Sequence, residues 1–259
     1  MIQLSKWYLD CVSEAGDVAI GYNAWVQAVR LPVRYEGLVH RSSGWQPKST
    51  HSLRPSSISV SGNELKWGAP GLGVRGVWRR ASNEIRTTLY QCPEGAVEWQ
   101  CLMPKAVAEI ELPGAAFGGL GYVERLRISF SPWRVPIRLL RWGRFLSSRN
   151  VLVWIDWQGG FSTRFAYLNG QRVRVEPGSI ENDHLSLPDG LRATFERTAV
   201  LRDASLGATF LEALPVLERV APARFLLAQE SKWLSRTTLE VPGEAKDEGW
   251  TIHEEVRWP

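Results

Sequence analysis

The chain has 259 residues, 44% hydrophobic and 22% charged, a balance that excludes a disordered protein and permits one large domain or two ordinary ones. Its formal charge of +4, from 31 Lys and Arg against 27 Asp and Glu, is too small an excess to mark a nucleic-acid binder. Cys11, Cys92 and Cys101 make no disulfide framework, no apolar leader runs through Met1 to Asp10, and no apolar run reaches the ~18 residues of a membrane helix; the expectation is a cytoplasmic protein with reduced thiols.

Taken in order, the chain reads as short alternating segments between turn signals. Trp7 to Val12 and Val18 to Trp25 flank a turn at Ala15-Gly16-Asp17, and Ser57 to Val60 and Glu64 to Trp67 flank one at Ser61-Gly62-Asn63. Glu84 to Gln91 and Ala96 to Leu102 flank Pro93-Glu94-Gly95, and Val107 to Leu112 is a short strand ending at Pro113-Gly114. The glycine run Gly114 to Gly121 reads as a hinge or β-bulge. It places a domain boundary there, with an N-terminal β-domain over 1–115 and a C-terminal β-barrel domain over 116–259. Beyond it, Asn150 to Trp157 is the strongest strand pattern in the chain. Thr163 to Leu168 and Gln171 to Glu176 meet across Asn169-Gly170, a type I′ signal. Leu191 to Leu201 is followed by a break at Asp203, Thr209 to Val220 carries the helical spacing Leu211, Leu214, Leu217, and strands close the chain at Phe225 to Val241 and Trp250 to Trp258. Strands this short and regular predict an all-β protein of two consecutive antiparallel barrel or sandwich domains, with one short helix near the C-terminus. Thirteen Trp residues suit either packed sheets or a roomy apolar cavity.

The chemistry is narrower. Gly118-Gly119-Leu120-Gly121 lacks the strand and helix of a dinucleotide site, and the four His (His40, His51, His184, His253) and three Cys show no metal-ligand spacing, so neither cofactor nor metal is expected. No Gly-x-Ser-x-Gly elbow marks a Ser nucleophile. Acids set in apolar strands are the sharper signal. Asp156 stands between Ile155 and Trp157, and Glu124 follows Gly121-Tyr122-Val123. A desolvated carboxyl can protonate a substrate, although pairing with one of the many Arg residues would make it structural instead. Alternation puts Trp154 and Asp156 on one face of their strand, with Ile155 and Trp157 on the other. The segment Arg125 to Arg149 carries seven Arg and no acid, interleaved with Trp133, Trp142 and Phe145. It reads as a partly looped stretch whose Arg residues pair with acids elsewhere or meet an anion. Arg134, Arg138, Arg141 and Arg144 are the candidates for a cavity rim.

Five short segments in order, Trp7 to Val12, Gly119 to Glu124, Leu140 to Arg144, Val151 to Trp157 and Gly249 to Glu254, together resemble the carotenoid 1,2-hydratase-like and AttH-like branch of lipocalin-type β-barrels. The resemblance implies two barrel-like domains, an apolar cavity, and a protein that holds an isoprenoid or polyketide-like molecule. It also implies, where such proteins are enzymes, cofactor-independent hydration, isomerisation or cyclisation of an alkene. The hydratase branch carries an Asp-His-Asn-Trp-Gly-like run after its central Gly-Tyr; here Val123, Glu124, Arg125 and Leu126 follow Tyr122, and Trp-Gly returns only at Trp142-Gly143. On this reading Glu124 or Asp156 is the acid and Tyr122 orients. Trp142, Trp154 and Trp157 line the cavity, and Arg141 and Arg144 meet the charged end of an apolar or amphipathic small molecule. The competing reading is a noncatalytic module whose Arg-rich stretch binds an anionic partner such as a membrane surface, with nucleic acid disfavoured.

Overall fold

The computed structural model describes residues 3–28, 31–211 and 221–259. It is all-β, 68% strand and 4% helix, in two curled antiparallel half-barrel sheets. Two compact units, Met1–Val135 and Pro136–Pro259, divide it further along than the glycine run.

The first unit holds β1 (Gln3–Val12), β2 (Val18–Ala28), β3 (Leu31–Arg41), β4 (Lys48–Ser52), β5 (Ser57–Ser61), β6 (Glu64–Ala69), β7 (Val74–Arg80), β8 (Ile85–Cys92), β9 (Gly95–Leu112) and β10 (Ala115–Ile128). They pair in the order β4-β3-β2-β1-β10-β9-β7-β6-β5. The long β9 pairs β8 through its first half and β7 through its second. The expected hinge therefore lies inside a ladder. Gly119 and Gly121 belong to β10, which bulges between Gly121 and Glu124. Glycine is required there by close approach, since a Cβ on Gly121 would lie 2.5 Å from the Asp10 carbonyl and 2.8 Å from the Trp78 ring.

The curl of this sheet brings β6 across to β2. A Cβ on Gly21 would stand 2.5 Å from the Trp67 ring. Trp67 and Trp78 centre a core with Leu9, Met103 and Val123, and Trp78 Nε1 donates to the Asp10 carbonyl at 2.7 Å.

The second unit holds β11 (Ile137–Leu146), β12 (Val151–Gly159), β13 (Ser162–Leu168), β14 (Gln171–Val173), β15 (His184–Ser186), β16 (Arg192–Ser205), α1 (Leu206–Leu211), α2 (Ala223–Leu226), β17 (Gln229–Glu240) and β18 (Asp247–Arg257). The sheet order is β14-β13-β12-β11-β18-β17-β16-β15. Asn169 at φ 51° and Gly170 at φ 82° form the I′-compatible turn expected between β13 and β14. Of the helix expected over Thr209 to Val220, α1 covers the start and residues 212–220 lie outside the described residues. Trp154 stacks on Phe195 with centroids 5.3 Å apart and planes 4° from parallel; a Cβ on Gly143 would collide with the Trp154 ring. His253 is buried between Phe195 and Trp233 and sits 2.9 Å from Ser235 Oγ. Burial, with a smaller push from Arg197, lowers its imidazole to about 3.

Two outcomes follow from this packing. Gly21→Ala should destabilise by about 1–3 kcal/mol despite alanine's better backbone entropy, because the added methyl overpacks against Trp67. An unchanged urea midpoint would refute the close approach. His253 binds its proton near pH 3 in the folded state and near 6.5 when unfolded, so its contribution is intact above pH 6.5 and drains as pH falls toward 3. Unfolding free energies from urea titrations between pH 6.5 and 4 should therefore fall more steeply for the parent than for His253→Gln, by up to ~1.4 kcal/mol per pH unit; equal slopes would contradict a buried neutral imidazole.

Candidate functional site

Strand alternation in the first unit builds a set of rungs, because directly paired residues share a face. The lowest rung runs Val123–Leu9–Gly21–Leu38 across β10, β1, β2 and β3; it is apolar, and Trp67 lies against it. The rung above runs Arg125–Trp7–Asn23–Glu36, and the next Arg127–Ser5–Trp25–Arg34, with Glu98 of β9 opposite Arg127. Above the core these two polar and aromatic rungs enclose a cavity of about 470 Å³. That volume lies in the ~300–1,000 Å³ range of small-molecule sites. Trp7, Trp25 and Ile58 supply its apolar wall; Arg34, Arg125 and Arg127 set three cations against the one carboxylate of Glu98.

The cations are held in place. Arg125 lies over the Trp7 ring, 5.2 Å from its centroid, and Nε donates to Ser5 Oγ at 3.2 Å. Burial and then the neighbouring Arg127 push the Arg125 guanidinium below its ordinary range, a cost that an anion in the cavity would relieve. At the β3 end of the Arg125 rung, Glu36 is 1% exposed. Asn23 Nδ2 donates to Glu36 Oε1 at 2.8 Å and to Ser56 Oγ at 2.7 Å. Burial raises the Glu36 carboxyl, against the opposing pull of hydrogen bonds from Ser56 and Asn23. Glu36 Oε2 and Trp67 Nε1 are buried without a well-formed hydrogen bond.

The residues singled out in the sequence fall elsewhere. Tyr122 and Glu124 pair with Asp10 and Tyr8, the alternate positions of β1, and so face away from the cavity side of the sheet. There the Tyr122 hydroxyl and Trp99 Nε1 both donate to Glu124 Oε2 at 2.6 Å, and Tyr8 meets Tyr122 edge to face. Burial, followed by Cys101 and Glu124, raises the Tyr122 phenol well above its ordinary range. Asp156, Trp142, Trp154, Trp157, Arg141 and Arg144 belong to the second unit. Asp156 accepts from Arg164 Nε at 3.1 Å and Gln158 Nε2 at 2.6 Å, the paired carboxylate that its Arg-rich context allowed. Trp154 is core; Trp142 and Trp157 are buried, on the other face of the sheet. Arg141 reaches Glu255 at 3.0 Å, Glu181 at 2.7 Å and the Ile180 carbonyl at 2.8 Å, while Arg144 is fully buried and donates to the Trp250 carbonyl at 2.9 Å. The rim expected from Arg134, Arg138, Arg141 and Arg144 is instead built by Arg125 and Arg127, from the start of the same segment, and by Arg34. Of the remainder, Ile137–Leu146 is strand β11, and the expected looped part lies over 129–136, with a short 3-10 turn at Pro132–Arg134. Asn23, Glu36 and Trp25 were not anticipated. Nothing local marked Glu36, which alternates with Arg34, Leu38 and His40.

Among the described residues no group of three or more His, Cys, Asp or Glu is placed to hold a metal ion, and no helix is long and apolar enough to cross a membrane.

No protein-family model matches the sequence, and no curated protein matches it significantly. Solved structures do match. CghA in complex with Sch210972 aligns at TM-score 0.66 and 12% identity, over 98% of this chain and 88% of that one. An AttH-like protein of Nitrosomonas europaea aligns at TM-score 0.60 and 8% identity, over 97% and 92%. Kievitone hydratase from Nectria haematococca aligns at TM-score 0.58 and 10% identity, over 99% and 88%. At these identities the likeness is one of architecture: the chain shares its all-β fold with CghA, the AttH-like protein and kievitone hydratase.

Proposed function

We propose that the chain binds a small amphipathic molecule in the cavity of its first unit, with an apolar or aromatic body against Trp7 and Trp25 and an anionic group toward Arg34, Arg125 and Arg127. The observation that carries this reading is the cavity's composition: aromatic walls closed below by an apolar rung, with three guanidinium groups against one carboxylate. Aromatic walls supply area and a quadrupole face, whereas Arg presents paired donors suited to carboxylate or sulfonate. Solved proteins of this fold include one bound to a small molecule and one named as a hydratase, which supports small-molecule binding and hydration-type chemistry on an unsaturated ligand. Residues for such a reaction would have to come from the cavity wall, because Tyr122 and Glu124 face the other side of the sheet.

The probe is 6-methoxy-2-naphthoate, followed by its own fluorescence. It should bind the parent protein; Trp7→Ala and Arg125→Ala should each weaken it by about tenfold, and the Arg125 variant should lose part of the salt dependence. Arg134→Ala, exposed and paired with Glu94 outside the cavity, should bind as the parent does. Binding that ignores Trp7 and Arg125, or none at all, would overturn the assignment.

A further inference from the structure

Asn23 has a side chain whose orientation is dictated from behind. An amide carries two N–H donors on Nδ2 and an acceptor on Oδ1. Here Nδ2 addresses two oxygens, Glu36 Oε1 at 2.8 Å and Ser56 Oγ, on the cavity wall, at 2.7 Å, so both N–H groups are spent. The carboxylate can only accept, and turning the amide over would set Oδ1 against it with no proton between them. Asn23 nevertheless lines the cavity, and Oδ1 is what its amide has left to offer there. The neighbouring polar groups are committed differently. Ser5 Oγ accepts from Arg125, and the guanidinium groups of Arg34, Arg125 and Arg127 are pure donors. The cavity is thus polarised, with Arg34 and Arg127 on the outer rung, Arg125 at the β10 end of the inner one, and a neutral acceptor at Asn23, on the far side of Trp7 from Arg125.

We infer that Asn23 is a specificity-determining residue: its Oδ1, fixed by Glu36 and Ser56, selects ligands that carry a hydroxyl or N–H donor at the end away from their anionic group. The inference rests on the cavity reading above and narrows its ligand class to molecules with an acid at one end and a hydrogen-bond donor at the other. Glu36 acts as a positioning residue, through Asn23. Its carboxylate, 1% exposed and otherwise costly to bury, is what forbids the opposite amide orientation.

The experiment compares 6-hydroxy-2-naphthoate with 6-methoxy-2-naphthoate near pH 7.5, where the naphthol is neutral. The two probes share body and carboxylate and differ only in the donor. The parent should bind the hydroxy compound about fivefold more tightly, the size of one net hydrogen bond. Glu36→Gln can offer its own N–H to Asn23 Oδ1 and so frees the amide to turn. In that variant the hydroxy-to-methoxy ratio should fall toward one, a change that loss of packing alone would not produce. Asn23→Leu should lose the preference as well. Equal affinities in the parent, or a preference that survives both substitutions, would overturn the role of Asn23 while leaving the cavity reading standing. Failure of both probes to bind the parent would overturn the two together.

Discussion

The approach of the Trp67 indole to the bare backbone of Gly21 fixes how deep the first half-barrel is filled. With no side chain at Gly21, β6 can close on β2 and the indole occupies the lowest rung beside Leu9 and Val123. Everything above that plug is too polar to collapse. The next rungs carry Asn23, Glu36, Arg125, Ser5 and Arg127, whose desolvation without partners would exceed any gain from closing the space. A cavity therefore persists where packing stops and fixed polar groups begin. Aromatic residues at this boundary serve both sides of it, as Trp7 does by lying under the Arg125 guanidinium.

Electrostatics sorts the many arginines by partner. In the second unit they are neutralised inside the sheet: Arg141 by Glu255 and Glu181, Arg164 by Asp156, and Arg202 by Glu230, which also meets the buried Lys232. Buried pairs of this kind spend most of their attraction on the cost of desolvating both charges. In the first unit the rungs of Arg125 and Arg127 hold more cation than carboxylate, and the repulsion that Glu98 leaves uncompensated is relieved by solvent or a bound anion. One sequence segment thus contributes to both regimes, which is why its composition misled about which Arg residues form the rim.

Much of the architecture was legible because β-alternation and turn chemistry are local. The Asn169-Gly170 turn, the β1–β2 hairpin and the strand from Val151 were readable from a few residues each. Strands were missed where a local cue argued against them. Pro32 opens β3, glycines thin β10, and Pro136 precedes β11; each is accommodated by a strand end, a bulge or a close backbone contact that only the tertiary fold supplies. The site was less legible for a related reason. Asp156 and Glu124 stand out in one dimension as acids among aromatics, yet an acid's role depends on what lies across the sheet. Arg164 meets the first, and Tyr122 with Trp99 the second. Glu36 looked ordinary beside Tyr35, and acquires its meaning from Asn23 and Ser56, contributed by other parts of the chain.

The pairing of β1 with β10 has a consequence for how the molecule is made. Leu4 finds Ile128 and Val12 finds Leu120, so the central ladder of the first unit joins residues more than a hundred positions apart, and β11 waits in the same way for β18. Closing such long loops is entropically slow, and sheets dominated by non-local pairing fold late. On the ribosome β1 and β2 can form a hairpin early, yet one edge of β1 must stay open until β10 has emerged. For that interval the nascent chain displays an unsatisfied, aromatic-rich strand edge, an opening for chaperone capture or for mispairing with another copy.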